Sequence, residues 1–181
     1  MNKIIAIVGM CGSGKTVATE LFEKAGYNKV YFGAVTMDAL KERGLPVNEQ
    51  NERMIREELR AGGDKAIYAK LNLPKIEKLY KEGNVVVESM YSWSEYKLLK
   101  EYFGDAFEVL AIITDCGLRR ERLLTREIRP MTYEESRSRD YSEIENIEKA
   151  GPIGIADYYI TNNGTTEEFE QKIIEFIKNY K

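Results

Sequence analysis

Histidine is missing from all 181 residues, which removes Ser-His and Cys-His nucleophilic catalysis and every histidine-based zinc site. Cysteine occurs only at Cys11 and Cys116, too few for a disulfide framework. No repeat, low-complexity tract or linker interrupts the chain, and its length suits one domain with a sizeable core. The longest apolar runs are strand-sized, far short of the ~20 residues that a membrane helix needs. The N-terminus enters a strand directly, with no secretory signal, so a cytoplasmic protein is expected. With a formal net charge of −3 the molecule as a whole is not an electrostatic binder of nucleic acid, which argues against that partner.

What is present begins at residue 9. Gly9-Met10-Cys11-Gly12-Ser13-Gly14-Lys15-Thr16 follows the apolar run Lys3–Val8 and opens the helical stretch Val17–Phe22. A strand that stops sharply, backbone N–H groups turned inward and a helix whose positive end faces the ligand make a cradle for phosphate. Gly9, Gly12 and Gly14 allow the bend, Ser13 and Val17 flank it, Lys15 reaches the terminal phosphates, and the Thr16 hydroxyl is placed for Mg²⁺. A nucleoside triphosphate is the expected ligand, ATP with Mg²⁺. Phosphoryl transfer needs positioning and charge stabilisation by Mg²⁺, Lys and Arg, so the lack of histidine does not hinder it.

Strand and helix alternate from there. Strands are expected at Lys3–Val8, Asn28–Phe32, Val85–Val87, Phe107–Ile113 and Asp157–Thr161. Capping boxes announce helices at Ser92–Glu95, Thr132–Glu135 and Thr165–Glu168. Such alternation gives an α/β fold, a parallel sheet with helices on both faces and ligands at the carboxyl ends of the strands. Two stretches exceed a simple crossover. The expectation is therefore a single domain, residues 1–181, with an acceptor-binding helical insertion at about 33–80 and a lid at about 118–150.

The 11 arginines cluster in those insertions. Arg53, Arg56 and Arg60 stand at i, i+3 and i+7, and Arg119, Arg122, Arg126 and Arg129 repeat that spacing. No lysine lies between residues 119 and 139. Guanidinium is favoured where phosphate oxygens are gripped in a bidentate fork, so both rows are candidate phosphate clamps; solvated helices with i,i+4 ion pairs are the alternative. Glu88 ends the third strand, where it can hold a Mg²⁺-bound water or take a proton from the acceptor. Asp115 is a weaker candidate of the same kind. Tyr91, Trp93 and Tyr96 could stack a base, with helix-to-sheet packing the alternative for at least two of them.

With these residues in place, the chain resembles the nucleoside-monophosphate-kinase branch of P-loop kinases, most of all the dephospho-CoA kinase-like and adenylate-kinase-related proteins. Arg122-Leu123-Leu124-Thr125-Arg126 is similar to their lid signature, Arg139-Asp140 to the second lid helix, and Ala156–Thr165 to the final strand and loop. By this resemblance, Asn163 and Gly164 border the ATP adenine, and the fold is a three-layer P-loop NTPase with strand order 2-3-1-4-5. The acceptor side departs from the family pattern. Gly33-Ala34-Val35-Thr36-Met37 lacks the acid and arginine of Gly-Asp-x-x-Arg, and Glu88-Ser89-Met90-Tyr91 replaces Asp-Gly-x-Arg.

The expected function is an ATP-dependent small-molecule kinase, monomeric or homodimeric, that phosphorylates a nucleotide-like acceptor, a nucleoside monophosphate or a dephospho-CoA-like molecule. Lys15 and Arg126 would neutralise the transferred group, with Arg122, Arg129 and Arg139 closing over the phosphates. Gly33, Arg53, Arg56, Arg60, Tyr91 and Trp93 would face the acceptor, and Thr16 and Glu88 the metal. The alternative is an ATP-binding switch that regulates a protein partner. Cys11, inside the loop, should be shielded from alkylation by ATP-Mg if the loop binds nucleotide; Cys11 and Cys116 are otherwise inert thiols.

Overall fold

A computed structural model of the chain describes residues 2–128 and 130–180, the side chain of Glu49 excepted. The chain runs β1 (Ile4–Val8), α1 (Lys15–Lys24), β2 (Asn28–Tyr31), α2 (Ala34–Glu42), α3 (Glu49–Arg60), α4 (Ile67–Glu82), β3 (Val85–Glu88), α5 (Trp93–Phe103), β4 (Phe107–Ile113), α6 (Cys116–Thr125), α7 (Tyr133–Ile147), α8 (Ala150–Gly154), β5 (Tyr158–Thr161) and α9 (Thr166–Asn179). Five strands form one sheet in the order β2-β3-β1-β4-β5, every pairing parallel, which is the order the resemblance implies.

Alternation within the strands builds two cores. Ile4, Ala6 and Val8 of β1, Val85 and Val87 of β3, and Phe107, Val109 and Ala111 of β4 face one side, where Tyr68, Ala69 and Ile76 of α4 and Leu99 of α5 cover them. Ile5, Ile7, Val86, Leu110 and Ile112 face the other side, against Ala18 and Phe22 of α1 and Phe169 and Ile173 of α9. Strands buried on both faces read as unbroken apolar runs, as β1, β3 and β4 do. Each fully buried Ile, Leu or Phe contributes on the order of 1.5–3 kcal/mol.

All three sequence-read capping boxes form, at Ser92, Thr132 and Thr165. The expected strand boundaries hold within one residue. Register brings Ile7 beside Glu88, Val8 beside Ala111 and Ile113 beside Thr161, so the carboxyl ends of four strands open on one edge. α2, α3 and α4 occupy the long interval between β2 and β3, and α6, α7 and α8 that between β4 and β5. No helix among the described residues is long and apolar enough to cross a membrane.

Candidate functional site

The turn between β1 and α1 is held open by glycine geometry. At Gly9, φ is +148°, and a Cβ would sit 2.6 Å from both the Ile112 carbonyl oxygen and Ser13 Oγ. At Gly14, φ is +101°, and a Cβ would strike the Asn162 amide. The loop is anchored from behind: Thr114 Oγ1 and Asn162 Nδ2 both donate to the Ser13 carbonyl, at 3.1 and 2.9 Å. Arg119 Nη1 donates to the Cys11 carbonyl at 2.8 Å.

Lys15 folds back over this loop, its Nζ donating to the Met10 carbonyl at 3.0 Å. Burial pushes its ammonium from 10.5 down to about 7; Lys149 adds to the depression, while the Cys11 thiol and Glu143 oppose it. Thr16, at the first turn of α1, donates from Oγ1 to Glu88 Oε1 at 3.1 Å, and Lys29 Nζ lies 3.1 Å from Glu88 Oε2. Glu88 is buried. A hydroxyl and a buried carboxylate are hard oxygen donors of the kind Mg²⁺ takes. Among the described residues no cluster of three or more His, Cys, Asp or Glu could cage a metal, so the cation would depend on this pair, water and the nucleotide's phosphates, as Mg²⁺ usually does.

Sequence reading missed the cation beside Lys15. Lys149 is only 3% exposed; its Nζ donates to Glu143 Oε2 at 2.6 Å and lies 4.2 Å from the centre of the Tyr91 ring. Its position follows from the end of α7. Glu148 is left-handed (φ 58°), and the Lys149 N–H returns to the Glu143 carbonyl at 3.1 Å, so the chain turns back on the helix. Lys65 of the first insertion pairs with Glu148 at 2.8 Å. Arg139 Nε donates to the other Glu143 oxygen at 3.0 Å. Although burial opposes it, Lys149 and Arg139 hold the Glu143 carboxyl down to about 2. Burial pushes the Tyr91 hydroxyl up to about 12. Lys149 and Arg139 thus share the Glu143 carboxylate, in a cluster close enough for its charges to act on Lys15. A lysine ending a Glu-rich segment looks like solvated surface; the one available signal was its place just past the lysine-free stretch.

The remaining candidates separate into groups. Arg119 is corrected. It is 6% exposed and grips Asp140 through both Nη atoms, at 3.2 and 2.9 Å, so it fastens α6 to α7 and to the loop backbone and has no fork left for phosphate. The row of four helical arginines is corrected as well: α6 stops at Thr125, Arg126 is an extended C-cap, and the Met131 N–H returns to the Leu123 carbonyl. Arg129 lies outside the described residues. Arg122 donates to the carbonyls of Asn162 (3.0 Å) and Gly164 (3.3 Å). It helps line a cleft of about 150 Å³ with Gly12, Gly14, Val17, Asn162, Thr166 and Phe169. Asn163 is exposed and accepts the Asp115 N–H at 3.0 Å; its neighbour Asn162, buried, is the one that touches the loop.

In the first insertion, Arg53 turns outward, 71% exposed and paired with Glu57, while Arg56 pairs with Glu52. Arg60 lies over the Tyr68 ring at 4.8 Å, with its Nε buried and unpartnered. Gly33 caps α2 beneath the Tyr31 ring, which a Cβ would strike. Trp93 stacks on Tyr96 at 5.0 Å and packs against Gly151 of α8, and Tyr96 packs on Phe107, so these two rings serve the core.

The chain is similar to known proteins in a manner that agrees with this geometry. A family model described as "AAA domain" matches residues 5–148. The UPF0200 protein TK1334 of Thermococcus kodakarensis is 31% identical over 96% of this chain and 96% of its own length. The UPF0200 protein of Sulfurisphaera tokodaii is 34% identical over 97% and 96%. The UPF0200/UPF0201 protein of Archaeoglobus fulgidus is 33% identical over 97% of this chain, which spans 55% of that protein's length. Among solved structures, a dephospho-CoA kinase from Campylobacter jejuni matches with a TM-score of 0.59 at 17% identity, over 98% of this chain and 97% of that one. A gluconokinase from Sinorhizobium meliloti 1021 matches at 0.61 and 17%, over 98% and 92%. These two likenesses show the fold, that of P-loop kinases.

Proposed function

This chain belongs to the AAA domain family and to the UPF0200 proteins, and from that premise we propose that it is an ATP-dependent small-molecule kinase that transfers the γ-phosphoryl group to a nucleotide-like acceptor. The observation that carries the reading is the Thr16 hydroxyl bonded to buried Glu88 at 3.1 Å, directly beside Lys15. Magnesium, bound there with ATP, would supply charge neutralisation and orientation of the phosphates. Lys15 would turn from the Met10 carbonyl to the β- and γ-phosphates and hold them as the ammonium. Lys149 and Arg139 stabilise charge on the transferred group, and Glu143 keeps both cations in place until then. Arg122 and Asn162 line the cleft that would receive the base, with Asn163 and Gly164 in the loop beside it.

The helices of residues 118–150 act as the lid, bringing Arg126 over the phosphates and excluding water. Residues 33–80 frame the acceptor, with Arg60 and Tyr91 as the facing side chains. Labelled ATP presented with nucleoside monophosphates, nucleosides and dephospho-CoA tests this reading. Acceptor-dependent transfer to one of these classes is expected; bound ATP with no transfer to any of them would contradict it.

A second reading is favoured by one observation. The Archaeoglobus relative carries a double name, UPF0200/UPF0201, and this chain spans 55% of it. An ATP-dependent switch acting on a protein partner fits such an arrangement. Acceptor-independent hydrolysis, with a UPF0201 protein captured only in the ATP state, would favour it over the kinase.

A further inference from the structure

We propose that the Ser89 hydroxyl binds an oxyanion of the phosphate acceptor, and that its left-handed backbone persists for that purpose. The inference rests on the kinase reading and identifies where the acceptor's charged oxygen sits. Two non-glycine residues among those described have positive φ, Ser89 at 69° and Glu148 at 58°. Glu148 has a local reason: it is the C-cap of α7, where a left-handed residue closes the helix. Ser89 follows the end of β3, at the position where the Asp-Gly-x-Arg pattern has glycine, which would take this conformation without strain. Strain of this kind survives where the surroundings impose it and collects at functional sites. Here the imposing contacts are visible. The Tyr91 and Ser92 N–H groups both bind Glu95 Oε2, at 2.7 and 2.9 Å, and Ser92 Oγ binds the Lys65 carbonyl at 2.7 Å, so the segment after Ser89 cannot relax.

The hydroxyl itself points to a ligand. Tyr91 donates its own proton to Ser89 Oγ at 3.0 Å, which leaves the proton of this half-buried hydroxyl free to turn outward, to solvent or to a ligand. Its surroundings select for negative charge. Glu88, next in the chain, is occupied by Thr16 and Lys29, and the Tyr91 ring below carries the Lys149 ammonium at 4.2 Å. An accessible hydroxyl donor between the Thr16–Glu88 corner and the Lys149–Arg139 corner suits an incoming phosphate oxygen.

The test uses inorganic phosphate as the probe, titrated into protein already saturated with the magnesium complex of the non-hydrolysable imido analogue of ATP, together with thermal melting. Ser89→Gly is expected to melt about 2–4 °C higher, relief of strain outweighing the freedom glycine gives the unfolded chain. Its phosphate affinity should fall about tenfold or more. Ser89→Ala, which keeps the strain and loses the hydroxyl, should lose the same affinity without melting higher. Unchanged phosphate binding in both variants, no gain in melting temperature for Ser89→Gly, or no phosphate binding by the parent protein would each overturn the proposal. Phosphate binding that depends on Ser89, in a protein that transfers phosphate to no acceptor, would refute the kinase reading while leaving this oxyanion site standing.

Discussion

Arginines at one spacing meet different fates between β2 and β3 and between β4 and β5. Arg53 and Arg56 lie on α3 among glutamates of the same helix and pair with Glu57 and Glu52. Arg119 and Arg122 lie on α6 and find partners far away in sequence: Asp140 and the Cys11 carbonyl for one, Asn162 and Gly164 for the other. Spacing places side chains on a face; the carboxylates and carbonyls that this face meets decide what they do. On α3 the helix's own acids take Arg53 and Arg56 while Arg60 lies over the Tyr68 ring, whereas α6, packed against the loop edge, spends Arg119 and Arg122 on the site's framework.

The sharpest way to break this comparison is Arg119→Ala. It strands buried Asp140, and a loss of about 3–5 kcal/mol in urea denaturation is expected. An Arg119→Met, Asp140→Leu double variant should recover much of that loss; if it does not, the pair matters through the Cys11 carbonyl instead. Next comes Lys149→Met, for which transfer should drop about 10–100-fold, the value of a charged contact in the site. Unchanged transfer would reassign Lys149 to structure.

The pH response is a smaller effect with a definite sign. Lys15 must be charged to hold phosphate, and burial sets its pKa in the empty protein at about 7. Above that pH, binding must therefore take up a proton. ATP-Mg affinity should weaken by up to about tenfold per pH unit, and binding heats at pH 8 should differ between buffers of unlike ionisation enthalpy. Buffer-independent heats would show that Lys15 is already charged. The smallest effect belongs to Arg53→Ala, expected within about 0.5 kcal/mol of the parent and without influence on transfer.

The legible parts of the molecule are those written locally. Strand alternation, the capping boxes at Ser92, Thr132 and Thr165, and the glycine-spaced loop each depend on neighbours within a few residues. Glu88 was legible because a strand end fixes its position relative to Thr16. Lys149, Asn162 and Asp140 were not, because their meaning comes from partners brought near by folding: Tyr91 and Glu143, Ser13, and Arg119. Trp93 misled for a related reason. An aromatic beside a site looks the same in sequence whether a ligand or Tyr96 fills its face.

Isothermal calorimetry of ATP-Mg with the parent protein and Lys15→Ala tests the central claim most directly. The account predicts saturable binding to the parent, weakened at least about tenfold in the variant. No heat from the parent, or equal affinity in both, would contradict it.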